Sequence, residues 1–312
     1  MTTLAPAIST QRRLFHNRLF LTLCLAATTL AIVVLFALVA SVGSEGGSSL
    51  SGNFLDSFAS RKPAQAGIKG PLWGSLWVCT VCGILALPIG VATAIYLEEF
   101  APRGRVTNLI RMNISNLSGV PSIVYGIIGL TAFTRFFGLL DADQPFAVGD
   151  PESFFYFQLP LGASVLAGAL TLMLVILPIV IVASQEALRA VPSSLRTGAM
   201  ALGATRWQTT WQVTLPAATG SIMTGAILAI SRAVGEAAPL LVIGGYLLVF
   251  TTPSNLMSDF TVLPLQIFNW AQRPQEAFHA IAAAAIIVQL GLLLIFNSVA
   301  VFIRQRLQKP LQ

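Results

Sequence analysis

The chain has 312 residues, 55% of them hydrophobic and only 10% charged, and a mean hydropathy of +0.79. Soluble domains carry about 25% charged residues, and here the apolar runs recur along the whole length, which excludes a soluble core held by one anchor. The net charge is +6, but the basic residues are spread over several segments with no basic patch or aromatic platform, which argues against nucleic acid as a partner.

Six runs reach the roughly 17–25 residues that cross a bilayer; they lie near 19–41, 73–97, 117–138, 161–183, 217–249 and 281–303. The first is about 22 residues long, beyond the 7–15 of a signal-peptide core, so a retained helix is expected. Residues 1–42 are then an N-terminal tail and first helix. Residues 43–71, rich in Gly and Ser, read as an extracytoplasmic loop or linker, 72–303 as a five-helix core, and 304–312 as a tail. Cys24, Cys79 and Cys82 all fall in apolar spans. The Cys79–Cys82 pair has no second ligand pair beside it, so packing is expected rather than metal or redox chemistry.

The third span opens Ser115-Asn116-Leu117-Ser118-Gly119-Val120-Pro121-Ser122-Ile123-Val124-Tyr125-Gly126. Gly119 and Pro121 permit a bend there. Ser118, Ser122 and Tyr125 are possible donors to a hydrated anion, although small residues in membrane helices also serve close packing. The 139–159 loop combines acids with aromatics. A short interfacial helix is expected at Phe154, Phe155, Tyr156 and Phe157, as an anchor or as a docking face for an extracytoplasmic partner.

Residues 184–216, SQEALRAVPSSLRTGAMALGATRWQTTWQVTLP, form a polar, weakly basic island between two apolar spans. A plain connection would be shorter and unpatterned. A helix is expected from about Ser193 to Leu202, closed by Gly203 at a C-terminal position that favours positive φ. Thr205-Arg206-Trp207-Gln208 has capping-box spacing for a second helix, expected to end before Pro216.

The fifth span carries Ile230-Ser-Arg232-Ala-Val-Gly-Glu236-Ala-Ala-Pro239. Counted from a boundary at Ser221, Arg232 lies roughly 16 Å deep at about 1.5 Å per residue, near the middle of a layer about 30 Å thick. Ionisable groups there are costly and usually line a polar path. Arg232 and Glu236 share a helix face, and Pro239 opens the backbone beside them. Two roles fit: an ion pair bracing the helix, or an anion path in which the guanidinium fork takes an oxyanion and Glu236 holds it between passages.

Arg12, Arg13, Arg18, Arg103, Arg105, Arg111, Arg189, Arg196, Arg206, Arg304, Arg306 and Lys309 fall on one side of these spans. Arg61, Lys62, Lys69, Arg135 and Arg273 fall on the other. The positive-inside rule therefore puts both termini and the 184–216 hairpin in the cytosol. No HExxH, G-x-S-x-G or P-loop motif is present, so no enzymatic activity is expected of this chain. Energy for active transport would have to come from another subunit or an ion gradient.

The hairpin resembles the EAA loop of ABC-importer permeases: Gly203, Val213, Leu215 and Pro216 keep its spacing, while the family's Glu-Ala-Ala falls on Thr197-Gly198-Ala199. Four further segments are similar to the phosphate branch of PstA type: GVPSIVYG (119–126), ALRAVPSSLR (187–196), ALGATRWQT (201–209) and SRAVGEAAPLL (231–241). The resemblance implies an all-α membrane protein of type I importer (MetI-like) fold in a bacterial plasma membrane. It implies a second permease of PstC type, an ATPase dimer of PstB type holding the ATP and Mg, an extracytoplasmic phosphate-binding protein of PstS type, and no cofactor on this chain. It assigns Ala199, Leu202, Gly203, Arg206, Val213, Leu215 and Pro216 to ATPase coupling, and Arg232 and Glu236 to the phosphate path. A sulfate or molybdate permease, or a membrane scaffold or sensor, remain the alternatives.

Overall fold

In the computed structural model, residues 10–307 are described, apart from 103, 141–145, 152, 154–155 and 246–248. The helices are α1 (Thr10–Gly46), α2 (Gly52–Asp56), α3 (Lys69–Ile95), α4 (Arg105–Leu117), α5 (Ser122–Gly129), α6 (Val165–Arg189), α7 (Ser193–Ala201), α8 (Arg206–Thr209), α9 (Leu215–Gly235), α10 (Ala238–Val242), α11 (Leu263–Ala271) and α12 (Glu276–Leu307). Two three-residue strands, β1 (Phe146–Val148) and β2 (Phe157–Leu159), pair antiparallel between α5 and α6. Five helices are long and apolar enough to cross a membrane, and six if α4 and the helix after it count as one bent span.

Helices α3, α6 and α9 form the packed centre. Val78, Cys82 and Ala86 of α3 meet Leu172, Ile176 and Val180 of α6 and Ala229 and Ala233 of α9 in one buried cluster. Small residues set the approach: a Cβ on Gly90 would lie 2.6 Å from Val180, and one on Gly225 would lie 2.5 Å from Ala183. Without a hydrophobic drive between helices in lipid, this close packing supplies much of their association. Cys79 and Cys82 are both buried and unpaired, and among the described residues no cluster fit for a metal occurs. By contrast α1 buries none of its apolar window. It meets α12 at Gly46, whose Cβ would strike the backbone of Ala283 and Ala284.

The 43–71 segment is more than a linker. It folds as α2 flanked by two short 3-10 turns, and it sends Phe54 and the fully buried Ile68 into a cluster with Trp270 and Phe278. The connection from Thr251 to Val262 likewise plugs between helices. Ser75 accepts a hydrogen bond from the Leu263 amide at 2.8 Å, and Phe260 fills the space left by Gly168.

Three expectations are corrected. First, the third span is not one helix over 117–138. The chain bends by 104° between 105–117 and 122–134: Pro121 has no N–H to continue the helical ladder, a proline disfavours the helical region for the residue before it, and Gly119 gives the backbone room to turn. Second, Pro216 does not end the hairpin's second arm. A π turn over Thr210–Thr214 takes up the backbone that the proline cannot close, and the helix runs on from Arg206 to Gly235. That helix stops at Glu236, whose backbone is extended (φ −80°, ψ 120°), so 217–249 is not one span either. Third, of the expected interfacial helix, Phe154 and Phe155 lie outside the described residues, Tyr156 is in a loop and Phe157 opens β2.

Candidate functional site

The end of α9 is an interruption inside the bundle. Its last carbonyls lose their helical partners, and Gln289 of α12 donates to the Val234 carbonyl at 2.6 Å. Gln289 stands near the midpoint of α12, so α9 stops about halfway along its neighbour. Ser231, one turn back, donates to Asn297 of α12 at 2.7 Å.

Arg232 occupies the last turn of α9. Its Nε donates to Glu236 Oε1 at 3.0 Å across the helix end. The carboxylate is mostly covered (16% exposed) and the guanidinium half-exposed (46%). Among the described residues Nε alone of its three nitrogens is hydrogen-bonded to protein, which leaves the two terminal nitrogens without a protein partner. The positive charge also offsets the negative end of the α9 dipole, which would otherwise repel an anion.

Tyr125 stands on α5, which packs closely on α10, the short helix that follows Glu236: a Cβ on Gly126 would sit 2.8 Å from Pro239 Cα. The Tyr125 hydroxyl donates to the Leu117 carbonyl at 2.8 Å, so it staples the 104° bend and is not a free donor. Ser118 is exposed and donates to Ser115. Ser122 is half-buried at the start of α5.

The hairpin lies at the opposite end of α9. Helix α7 closes with Leu202, and Gly203 takes φ +91°, a conformation that suits glycine. Thr205 and Gln208 form both halves of the capping box. The turn raises Leu202 into solvent (92% exposed), with Met200 and Trp207 also exposed. Ala199 is half-buried and Arg206 exposed; Val213 and Leu215 are half-buried and Pro216 exposed on the continuing helix. Hairpin and Arg232 are therefore not in contact, but they stand near the two ends of one 30-residue helical run.

Sequence reading missed two groups. Glu98 and Glu99, in a π turn over Tyr96–Phe100 that extends α3, bind the hairpin's first arm. Glu98 accepts from Arg189 at 2.8 Å and pairs with Arg111 at 3.5 Å, while Glu99 takes both Nε and Nη2 of Arg196 at 3.2 and 2.9 Å. The signal in the sequence was two adjacent acids closing a span otherwise flanked by arginines. Gln289 and Asn297 were also passed over as isolated amides in an apolar run, although polar side chains in such runs commonly bond a neighbouring helix.

A bundle of long apolar helices with a patterned hairpin at one end, and a helix broken beside an ion pair inside, defines a transport permease. The family model "Binding-protein-dependent transport system inner membrane component" matches residues 86–309, and the chain belongs to that family. It is 33% identical over 80% of its length to "Probable ABC transporter permease protein YqgI" of Bacillus subtilis, covering 76% of that protein. It is 32% identical over 86% of its length to "Phosphate transport system permease protein PstA 1" of Mycobacterium tuberculosis, covering 82% of it. A "Probable phosphate transport system permease protein PstA" of Methanocaldococcus jannaschii is 29% identical over 96% of both chains. In fold, a chain from a bacterial ABC transporter importing the acidic polysaccharide alginate aligns with a TM-score of 0.62 at 15% identity, over 96% of this chain and 99% of that one. One from the MetNI methionine transporter gives 0.56 at 15% identity, over 78% and 96%. The protein is thus a type I ABC importer permease, a multi-pass component of the inner membrane.

Proposed function

We propose that this permease forms half of the path of an ATP-driven importer of inorganic phosphate. The observation that carries the reading is Arg232: a guanidinium at a helix break inside the bundle, compensated by one carboxylate, with terminal donors unspent. A planar fork of N–H groups suits a tetrahedral oxyanion, and partial compensation by Glu236 keeps binding weak enough for release, as a pathway requires. The relatives named as phosphate permeases support the same cargo. On this reading both termini and the hairpin face the cytosol, following the basic residues. The exposed Leu202, Met200 and Trp207 meet an ATPase dimer of PstB type, which holds ATP and Mg. A PstC-type permease supplies the other half of the path, and a PstS-type protein delivers phosphate from outside.

The test uses the complete complex in proteoliposomes with labelled phosphate. Arg232→Leu should bring uptake to background while the subunits still co-purify at wild-type ratios. Excess unlabelled phosphate should compete with the label, and sulfate and molybdate should not. Normal uptake by Arg232→Leu would remove this residue from the path and favour a scaffold or sensor role. Competition by sulfate or molybdate better than by phosphate would assign another oxyanion.

A further inference from the structure

The two arms of the hairpin are held in physically different ways. Arg196 on α7 spends all three nitrogens: Nε and Nη2 donate to Glu99, Nη1 to the Val191 carbonyl at 2.7 Å and Nη2 to the Leu188 carbonyl at 2.7 Å. Both members of the pair are largely covered, Arg196 21% and Glu99 12% exposed. Arg189 at the end of α6 adds a second tie through Glu98, which also reaches Arg111 of α4. Charge-assisted bonds from a guanidinium fork are directional and fix geometry.

The second arm has no such tie. Among the described residues Arg206 makes no ion pair, although it lines the same cavity of about 850 Å³ as Glu98, Glu99 and Arg196. One aromatic contact joins this arm to the turn after α3, Phe100 to Trp207 at 5.9 Å between ring centroids, while Trp207 and Trp211 lie 5.3 Å apart within the arm itself. Apolar contact is non-directional and tolerates sliding. Next comes the Thr210–Thr214 π turn, a form frequent at functional sites. Glu98 and Glu99 stand on a π turn as well, Tyr96–Phe100, so the arms differ in their side-chain ties and not in this turn. The hydroxyls of Thr209, just before the Thr210–Thr214 turn, and Thr214, its last residue, are buried without a hydrogen-bond partner among the described residues.

We propose that Arg196 and Glu99 are positioning residues that clamp α7 to α3 and α6 as one rigid body, and that the aromatic-lined second arm is the moving joint. A load applied at the hairpin tip then shifts the Arg206–Gly235 helix, and Arg232 at its far end, against the clamped α3–α6 pair. If the clamp opened in the cycle, the joint would lie at α7 instead. The inference rests on the transport reading above in taking the hairpin as the loaded element, but it does not depend on the cargo.

The experiment uses the native complex, with its ATPase and binding protein, in a Cys24→Ala background. The readout is stimulation of ATP hydrolysis by the loaded binding protein. Arg196→Gln should reduce that stimulation about tenfold while the ATPase co-purifies in full, and Glu99→Gln should do the same. In the double variant Glu99→Cys/Arg196→Cys, a short bifunctional thiol reagent should restore stimulation to within twofold of wild type, because the covalent bridge replaces the clamp. Stimulation that stays low after bridging, or full stimulation in Arg196→Gln, overturns the proposal. Bridging that lowers stimulation further would show that the junction must open. If the wild-type complex hydrolyses ATP under stimulation yet accumulates no phosphate, the cargo assignment fails and the clamp is still read.

Discussion

Arg196 and Arg232 are the same side chain put to opposite use. Arg196 engages a carboxylate twice and two backbone carbonyls once each; Arg232 engages one carboxylate through one nitrogen. A saturated guanidinium fixes its surroundings, because moving it breaks several charge-assisted bonds together. An unsaturated one, half-exposed inside a bundle, keeps donors for something else. The separation depends on the helix break: had α9 continued past Gly235, Glu236 would have been an ordinary neighbour on its face.

The sharpest way to break the contrast is to disturb the packing that follows the helix break. Gly126 lets α5 approach α10 so closely that a Cβ would lie 2.8 Å from Pro239 Cα and 2.9 Å from its carbonyl oxygen. Gly126→Val should force α5 and α10 apart, an overpacking cost of about 1–3 kcal/mol at the point where the chain turns after Glu236. The yield of monodisperse complex should fall by more than half and residual uptake should disappear. Wild-type yield and uptake would mean that the Arg232 pocket does not depend on this packing.

Much of the hairpin was legible because its signals are local. Gly203 at a helix end and the Thr205–Gln208 box each act over three or four residues. The Arg232–Glu236 pair was equally visible as charges four apart in an apolar run. Three features were not. The 104° bend after α4 depends on how α5 seats against α10, and Gly119 and Pro121 indicate a kink without its size. The π turn that carries the helix past Pro216 defeats a rule that is sound for ordinary helices. The Glu98–Arg189 and Glu99–Arg196 ties join residues far apart in the chain, and no spacing rule reaches that far.

Glu236→Gln sharpens the comparison. Without the carboxylate, Arg232 is uncompensated and should hold an anion more tightly. The KM for phosphate should fall several-fold and Vmax should fall with it, since release becomes slower. Glu99→Gln, made beside it, should lower turnover with KM unchanged, because Glu99 faces Arg196 and not the path. Kinetics of uptake in proteoliposomes separate the two. A rise in KM for Glu236→Gln would mean that the carboxylate positions the guanidinium and does not restrain binding.

The smallest effect is expected where two polar contacts bridge α9 and α12. The single hydroxyl hydrogen of Ser231 is shared between Asn297 Oδ1 and the Ile227 carbonyl of its own helix, at 2.7 and 2.8 Å, so Ser231→Ala removes one weak interhelical bond, worth about 0.6 kcal/mol in membrane proteins. Gln289→Leu looks equally conservative, yet it uncovers the Val234 carbonyl at the broken end of α9, an unmet buried acceptor that costs about 1–3 kcal/mol. That cost is offset in part because the substitution also removes the Gln289 Oε1, which is buried without a partner among the described residues. In thermal unfolding of the complex, Gln289→Leu should therefore lower the midpoint clearly more than Ser231→Ala. Uptake should stay within twofold of wild type for Ser231→Ala. The reverse order would mean that the helix break finds other partners for its carbonyls and that the α9–α12 contact rests on Asn297. The position of Arg232 would then be set from the α12 side, and not by the interruption of its own helix.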